Sequence, residues 1–299
     1  MRVLDKYRAS TRPLVTVDVN PPRGGDISKL VSRVRGLDVD WLNVTDNSGA
    51  SVKADSIIAS YLLREKTGID AISHITCRDT NRLGLQSRLL GAWMLGVENL
   101  LMLTGDRVRA EDKVHGIRGV FDVTSIGLLE LGASLNRGVG YNDTRLDGPT
   151  RFCLGATADP NVGNVRAEAL QLKKKLDAGA EYVLTQPIFS AVPAQRLLAA
   201  LTEVYAEAGA QAPEVPIFWG ILLPKDREWA ERIRSGDIHI PGIEIPDHVL
   251  DRLRKGDGRE QVRVARDVLA EFNAHQLRCI YIIPIGRYEI IPEVLHNFC

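Results

Sequence analysis

Two kinds of hydrophobic pattern alternate along the chain, one typical of strands and one typical of helices. Short apolar and β-branched runs predict strands, and apolar residues spaced three or four positions apart predict amphipathic helices. The first run begins at Val15 and stops before Pro21, and seven more strands are predicted at 38–45, 70–77, 98–103, 151–156, 181–186, 215–223 and 278–285. The segments between them predict helices, which include 27–37, 55–67, 123–136, 164–178, 193–208, 227–235, 246–255 and 261–275. A further helix is predicted to end near Gly96, with Asp79 or Thr80 as its N-cap.

This alternation predicts a parallel sheet, because parallel neighbours need a crossover connection that is usually a helix. Eight repeats in 299 residues favour a (βα)8 TIM-type barrel, with a doubly wound sheet as the second choice. No strand is followed by GxGxxG or GxxxxGK[ST], which weakens a nucleotide-binding doubly wound fold. We expect a single barrel domain over 1–299 without a regulatory domain.

The charge balance and cysteine usage point to small-molecule chemistry in the cytoplasm. Lys plus Arg and Asp plus Glu both total 38, so the balance does not favour nucleic acid or an anionic membrane as a partner. The four cysteines are far apart and form no CxxC pair, which fits a reducing compartment and gives no zinc signature. No apolar run approaches the roughly 18 residues of a membrane span.

Polar side chains mark the predicted strand ends, where barrels of this class carry their active sites. They comprise Asp18, Asn20, Asn43, Thr45, Asp46, His74, Thr76, Thr104, Asp106, Thr157, Asp159, Thr185, Gln186, Arg287, Tyr288 and Glu289. Carboxylates, hydroxyls and amides dominate, without a His and Cys cluster at metal-ligand spacing, so no metal site is predicted. Asp18 and Asp106 could have different roles if their pKa values differ: one could donate a proton and the other could hydrogen-bond a ligand.

Each of these residues also has a purely structural interpretation. Asp46 and Asp106 are equally consistent with helix caps, and His74 lies in an apolar run typical of a core histidine. An amide such as Gln186 needs partners if it is buried. The segment 107–122 is long for a βα connection, which favours a lid or ligand-binding loop.

At these strand ends the chain resembles the methylenetetrahydrofolate reductase family, particularly the reductase domain fused to homocysteine methyltransferase in some bacteria. The similar segments occur in family order over most of the chain. They are VDVNPPRG (17–24), NVTD (43–46), HITCRD (74–79), LGLQS (83–87), LTGD (103–106), GVFD (119–122), LKKK (172–175) with DAGA (177–180), TQPIF (185–189) and PGIEIP (241–246).

The resemblance implies a barrel that binds FAD and passes hydride from NADH or NADPH to 5,10-methylenetetrahydrofolate. By position, Asp18 would be the acid, Asp106 would hydrogen-bond the pterin and tune the flavin, and Gln186 would hold the folate. The implied cofactor-binding residues are Thr45, His74, Thr76, Asp159, Glu168 and Lys175. The implied partner is a small folate, and we expect a homo-oligomer without nucleic acid or membrane partners.

Three departures from the family pattern keep other functions open. Asp18 stands where the family normally has Glu, Thr104 stands where it often has Arg, and the Tyr and His that some members place after strand five are replaced around 155–159. One alternative is a flavin-free folate-dependent methyltransferase or demethylation partner that binds methyltetrahydrofolate. Another is a folate-binding subunit without catalysis.

Overall fold

Eight parallel strands close into a barrel in a computed structural model that describes residues 1–238, 243, 245–257, 259–296 and 298. The strands pair in chain order and β8 returns to β1. They are β1 (Leu14–Val19), β2 (Trp41–Val44), β3 (Asp70–Thr76), β4 (Asn99–Leu103), β5 (Cys153–Ala158), β6 (Tyr182–Pro187), β7 (Ile217–Leu222) and β8 (Cys279–Ile283). The barrel prediction is confirmed, and the doubly wound alternative is wrong.

The helices of the described residues surround the barrel. They are α1 (Val3–Ala9), α2 (Ser28–Val34), α3 (Ser56–Thr67), α4 (Arg82–Met94), α5 (Ala110–Val114), α6 (Ser125–Asn136), α7 (Val165–Asp177), α8 (Val192–Glu207), α9 (Arg227–Arg234), α10 (Asp247–Lys255), α11 (Glu260–Ala274) and α12 (Ile291–Leu295). Across these residues no helix is both long and apolar enough to cross a membrane.

Several local predictions need correction. The cap of α4 is Asn81, whose side chain accepts the Gly84 amide, and not Asp79 or Thr80. Asp79 instead pairs with Arg78. The hydrophobic pattern did not predict α1 or α12, and the 107–122 loop contains the short helix α5. Of the PGIEIP segment, 241, 242 and 244 lie outside the described residues.

Alternate residues on each strand point into the barrel and form its inner core. This core contains Leu14, Trp41, Ile72, Leu101, Cys153, Tyr182, Leu184, Phe218, Cys279 and Tyr281. Val3 and Leu4 of α1 join the same cluster, so α1 closes the end of the barrel where the strands begin. Because strand side chains alternate with a period of two, the inward face continues to Asp18, Thr45, His74, Thr76 and Gln186 at the opposite end.

An ion-pair cluster at the closed end ties the N-terminal segment to the barrel. The Asp40 side chain is fully buried and lies 2.6 Å from both Lys6 Nζ and an Arg12 guanidinium nitrogen. Asp40 also accepts the Val15 amide at 2.7 Å. The carboxylate thus fixes the start of β1 while two cations offset its charge.

Gly155 leaves room for the Tyr182 ring inside the barrel. A Cβ at position 155 would stand 2.2 Å from Tyr182 Cζ, closer than any tolerated contact. We expect Gly155→Ala to lower the free energy of unfolding, measured in urea, by about 1–3 kcal/mol, the usual cost of overpacking. In a Tyr182→Leu background, which removes the clashing atoms, the same substitution should cost less. Equal costs in both backgrounds would show that the ring is not the cause.

Candidate active site at the barrel mouth

Asp18 lies near the C-terminal end of β1 and hydrogen-bonds a tyrosine from the adjacent β8. Tyr281 Oη donates to Asp18 Oδ1 at 2.7 Å. Burial raises the pKa of Asp18 to about 6, and the Tyr281 bond opposes that rise because it stabilises the carboxylate. The pKa of Tyr281 is raised well above its usual value, first by burial and then by the Asp18 charge. Near neutral pH, Asp18 can therefore both hold and release a proton.

Asn20 connects the loops that follow β1 and β2. Its side-chain oxygen accepts the Thr45 hydroxyl at 3.0 Å and also the Ser48 hydroxyl. The Thr45 side chain is therefore buried against a neighbouring loop. Asn47 and Ala50, on either side of Ser48 and Gly49, have positive φ values of 46° and 51°, a conformation that is uncommon for side chains other than glycine.

His74 and Thr76 lie on the inward face of β3 and differ in how their polar atoms are satisfied. Thr76 donates both its amide (2.9 Å) and its hydroxyl (3.0 Å) to Asp46 Oδ2. Arg88 of α4 pairs with Asp46 and with Asp55, the residue that caps α3. His74 Nε2 is buried without a hydrogen-bond partner in the part of the chain that the structure describes. Burial lowers the pKa of His74 to about 3, so the ring is neutral.

Asp106 lies in the loop after β4, where it is exposed and contacts the neighbouring loops. Its Oδ2 accepts the Gly49 amide at 2.7 Å. Arg78 is almost fully buried and donates to the Asp106 carbonyl at 3.3 Å and to the Asn47 carbonyl at 3.1 Å. Arg78 thereby joins the loops after β2, β3 and β4 and holds Asp106 at the mouth.

The remaining predicted residues surround the ends of β5 and β6. Glu168 Oε1 accepts the Asp159 amide at 3.0 Å, and Lys175 Nζ donates to the Thr157 carbonyl at 2.7 Å. Burial lowers the pKa of Lys175 while Glu168 opposes the shift. Gln186 is half-buried near the end of β6. Glu168 and Lys175 thus brace the β5 end from α7, whereas Asp18, Asp106 and Gln186 belong to the mouth.

Sequence reasoning did not assign roles to Tyr281, Arg78 or Arg88. Tyr281 could have been found, because the period of two places it on the inward face of β8 together with Cys279. Arg78 and Arg88 had no comparable signal, since their roles depend on which loops and helices converge. Among the described residues, no three His, Cys, Asp or Glu side chains form a group that could hold a metal ion.

A family model described as methylenetetrahydrofolate reductase matches residues 3–298, nearly the whole chain. The chain belongs to the methylenetetrahydrofolate reductase family. This confirms the family identified from the strand-end motifs.

Two relatives share about a quarter of their aligned residues with the chain. The 5,10-methylenetetrahydrofolate reductase of Salmonella typhimurium is 26% identical over 182 residues, which cover 58% of this chain and 55% of the relative. A probable methylenetetrahydrofolate reductase (NADPH) of Caenorhabditis elegans is 27% identical over 230 residues, 73% of this chain and 29% of the relative. The chain thus spans about half the length of the bacterial relative and less of the nematode one.

Among the solved structures that match this chain is one that aligns with it almost end to end. It is an uncharacterized protein from Clostridium thermocellum that binds two copies of 5-methyl-5,6,7,8-tetrahydrofolic acid. The TM-score is 0.67 with 15% identity, and the match covers 98% of both chains. At this identity the likeness shows a shared fold.

Proposed function

We propose that this protein reduces 5,10-methylenetetrahydrofolate to 5-methyltetrahydrofolate with hydride from NADH or NADPH. The observation that carries the proposal is Asp18, a carboxyl with a pKa of about 6 at the mouth of a barrel of this family. Opening the methylene bridge requires an acid, because an amine leaves only after it is protonated. An ordinary carboxyl would already be ionised at neutral pH, whereas Asp18 keeps a usable protonated fraction.

The proposed reaction consists of acid-assisted opening of the methylene bridge followed by hydride transfer. Asp18 gives its proton to the bridging amine, the carbon–nitrogen bond breaks, and an iminium carbon remains. The hydride from the dihydronicotinamide adds to that carbon and makes the methyl group. Asp18 then takes a proton from solvent, with Tyr281 stabilising the carboxylate between turnovers.

Asp106 and Gln186 would orient the pterin for this step. The Gly49 amide engages one Asp106 oxygen and leaves the other available to accept N–H groups of the pterin. Gln186 offers an amide from the half-buried end of β6. Placing the reacting atoms in this way contributes to rate because bound reactants avoid the entropic cost of meeting.

FAD would ordinarily relay the hydride between the nicotinamide and the folate, but the residues do not fit a flavin site well. Thr45, Thr76, Glu168 and Lys175 already bond groups of this chain. Thr104 also stands where the family often has Arg. His74 Nε2 is the one implied flavin-contacting atom that is buried and lacks a partner within the described residues. We therefore assign no step to a flavin.

The same misfit favours a second candidate function, a flavin-free folate-dependent methyltransferase or demethylation partner. Such a protein would keep Asp18, Asp106 and the folate pocket without the hydride step. The fold shared with a protein that binds methyltetrahydrofolate is compatible with this function as well.

A spectrum and a turnover assay separate these possibilities. Freshly purified protein should be colourless and should oxidise NADH or NADPH only when methylenetetrahydrofolate is present. A yellow preparation with flavin absorption would overturn direct transfer while leaving the reductase reaction intact. Tight binding of 5-methyltetrahydrofolate without oxidation of either nucleotide would instead support the second candidate.

A further inference from the structure

Two cationic side chains lie in the loops at the barrel mouth without an acidic partner. Arg23 follows Pro21 and Pro22 in the β1–α2 loop, and Lys53 lies in the β2–α3 loop just before α3. Within the described ranges neither side chain forms an ion pair or hydrogen bond. By contrast, Arg78 and Arg88 at the same end of the barrel are both paired with aspartates.

Backbone hydrogen bonds hold these two loops together beside the cations. The Ala54 amide donates to the Pro22 carbonyl at 2.8 Å, so the neighbours of Lys53 and Arg23 are in direct contact. The Lys53 amide also donates to Asn47 Oδ1 at 2.8 Å, which fixes the second loop. These hydrogen bonds hold the backbone beside Arg23 and Lys53 in place, while the two long side chains remain flexible.

Arg23 and Lys53 form a pair of positive charges without a negative partner. Lys53 is half-buried, and its pKa is lowered first by that burial and then by the Arg23 charge. Like charges held together without a carboxylate repel each other, and an anion between them removes the repulsion while accepting hydrogen bonds from both.

We propose that Arg23 and Lys53 form an anion subsite for the charged end of a ligand bound in the barrel mouth. The ligand group is a carboxylate or a phosphate. This inference rests on the proposed function, whose ligands carry both: the folate has glutamyl carboxylates and the dinucleotide has phosphates. The two loops begin at the ends of β1 and β2, which also carry Asp18 and Thr45, so the subsite borders the proposed folate pocket.

Binding measurements on Arg23→Gln, Lys53→Gln and the double variant test the subsite. The probes are 5-methyltetrahydrofolate, 5-methyltetrahydropteroate, which lacks the glutamate, NADH and NADPH, titrated calorimetrically. Each single substitution should weaken binding of the recognised ligand roughly ten-fold, the usual effect of losing a charge-assisted hydrogen bond. The double variant should bind that ligand more weakly still.

The pattern across probes identifies the source of the anion. Weaker binding of methyltetrahydrofolate with unchanged binding of the pteroate indicates the glutamyl carboxylates. Weaker binding of both dinucleotides indicates the pyrophosphate, and an effect on NADPH alone indicates its 2′-phosphate.

Arg8→Gln in α1 and Lys174→Gln in α7 are matched controls. Both residues are exposed, also lack an ion pair among the described residues, and belong to other elements. Neither variant should change any of the four affinities. A wild-type protein that turns over while both subsite variants bind every probe unchanged would overturn the subsite and leave the proposed function standing. If the wild-type protein shows no turnover but the subsite variants still lose affinity for the folate, the proposed function is overturned and the subsite stands.

Discussion

Replacing Asp18 by asparagine is expected to lower kcat by about 10²–10⁴-fold, the usual contribution of a positioned general acid. Binding of 5-methyltetrahydrofolate should change by less than about three-fold, because asparagine is nearly isosteric and its amide can still bond Tyr281. The measurements are steady-state oxidation of NAD(P)H and calorimetric titration of the folate.

The pH dependence provides a second test of Asp18. The proposed step uses the protonated carboxyl, whose pKa is about 6, so kcat/KM of the wild-type protein should fall as pH rises through that value. In Tyr281→Phe, the carboxylate loses its stabilising hydrogen bond, so the pKa of Asp18 rises. The pH at which kcat/KM falls should therefore increase by about one unit. An Asp18→Asn variant with near wild-type kcat, or a limb that does not move in the phenylalanine variant, would contradict the assignment.

Replacing Asp40 by leucine is expected to lower the free energy of unfolding by about 2–3 kcal/mol, the combined cost of an unsatisfied buried amide and two partly exposed ion pairs. The substitution leaves Lys6 and Arg12 without their shared buried carboxylate and deprives the Val15 amide of its acceptor. Most of this cost comes from the buried Val15 amide, which is left without an acceptor, because the Lys6 and Arg12 side chains are 30% and 49% exposed and remain solvated. Urea unfolding followed by circular dichroism measures it.

Two further variants separate the causes of this loss. Asp40→Asn removes the charge but can still accept the Val15 amide, so it should cost less than the leucine variant. Asp38→Asn changes an exposed carboxylate in the same connection and should stay within about 0.5 kcal/mol of wild type. An Asp40→Leu protein as stable as the Asp38 variant would show that the cluster contributes nothing.

Much of the fold could be predicted from local signals. The alternation of the two hydrophobic periods predicted all eight strands, because a closed parallel barrel needs a helix after nearly every strand. The strand bounds were less accurate: a strand was predicted at 38–45, whereas β2 is Trp41–Val44. The excess residues include Asp40, whose side chain binds the β1 amide and two cations, a contact that propensity cannot register.

The candidate site was predicted in part for similar reasons. Strand-end position predicted that Asp18, Asp106 and Gln186 lie at the barrel mouth, and the structure has them there, while their roles stay predictions. Neither strand-end position nor family resemblance indicated that Glu168 and Lys175 bind the backbone around the end of β5, since that depends on how α7 packs. Nor did they indicate that His74 would retain an unpartnered ring nitrogen within the described residues.

By itself, the sequence determined the barrel, the end that carries the polar residues, and the family. Periodicity and motif order are properties of the linear sequence, so they can be recognised without knowing which residues meet in space. The tertiary structure decided the character of Asp18, because its raised pKa comes from burial and its hydrogen bond comes from Tyr281, 263 positions away in the chain. Closure of β8 onto β1 creates that environment, and no stretch of sequence contains it.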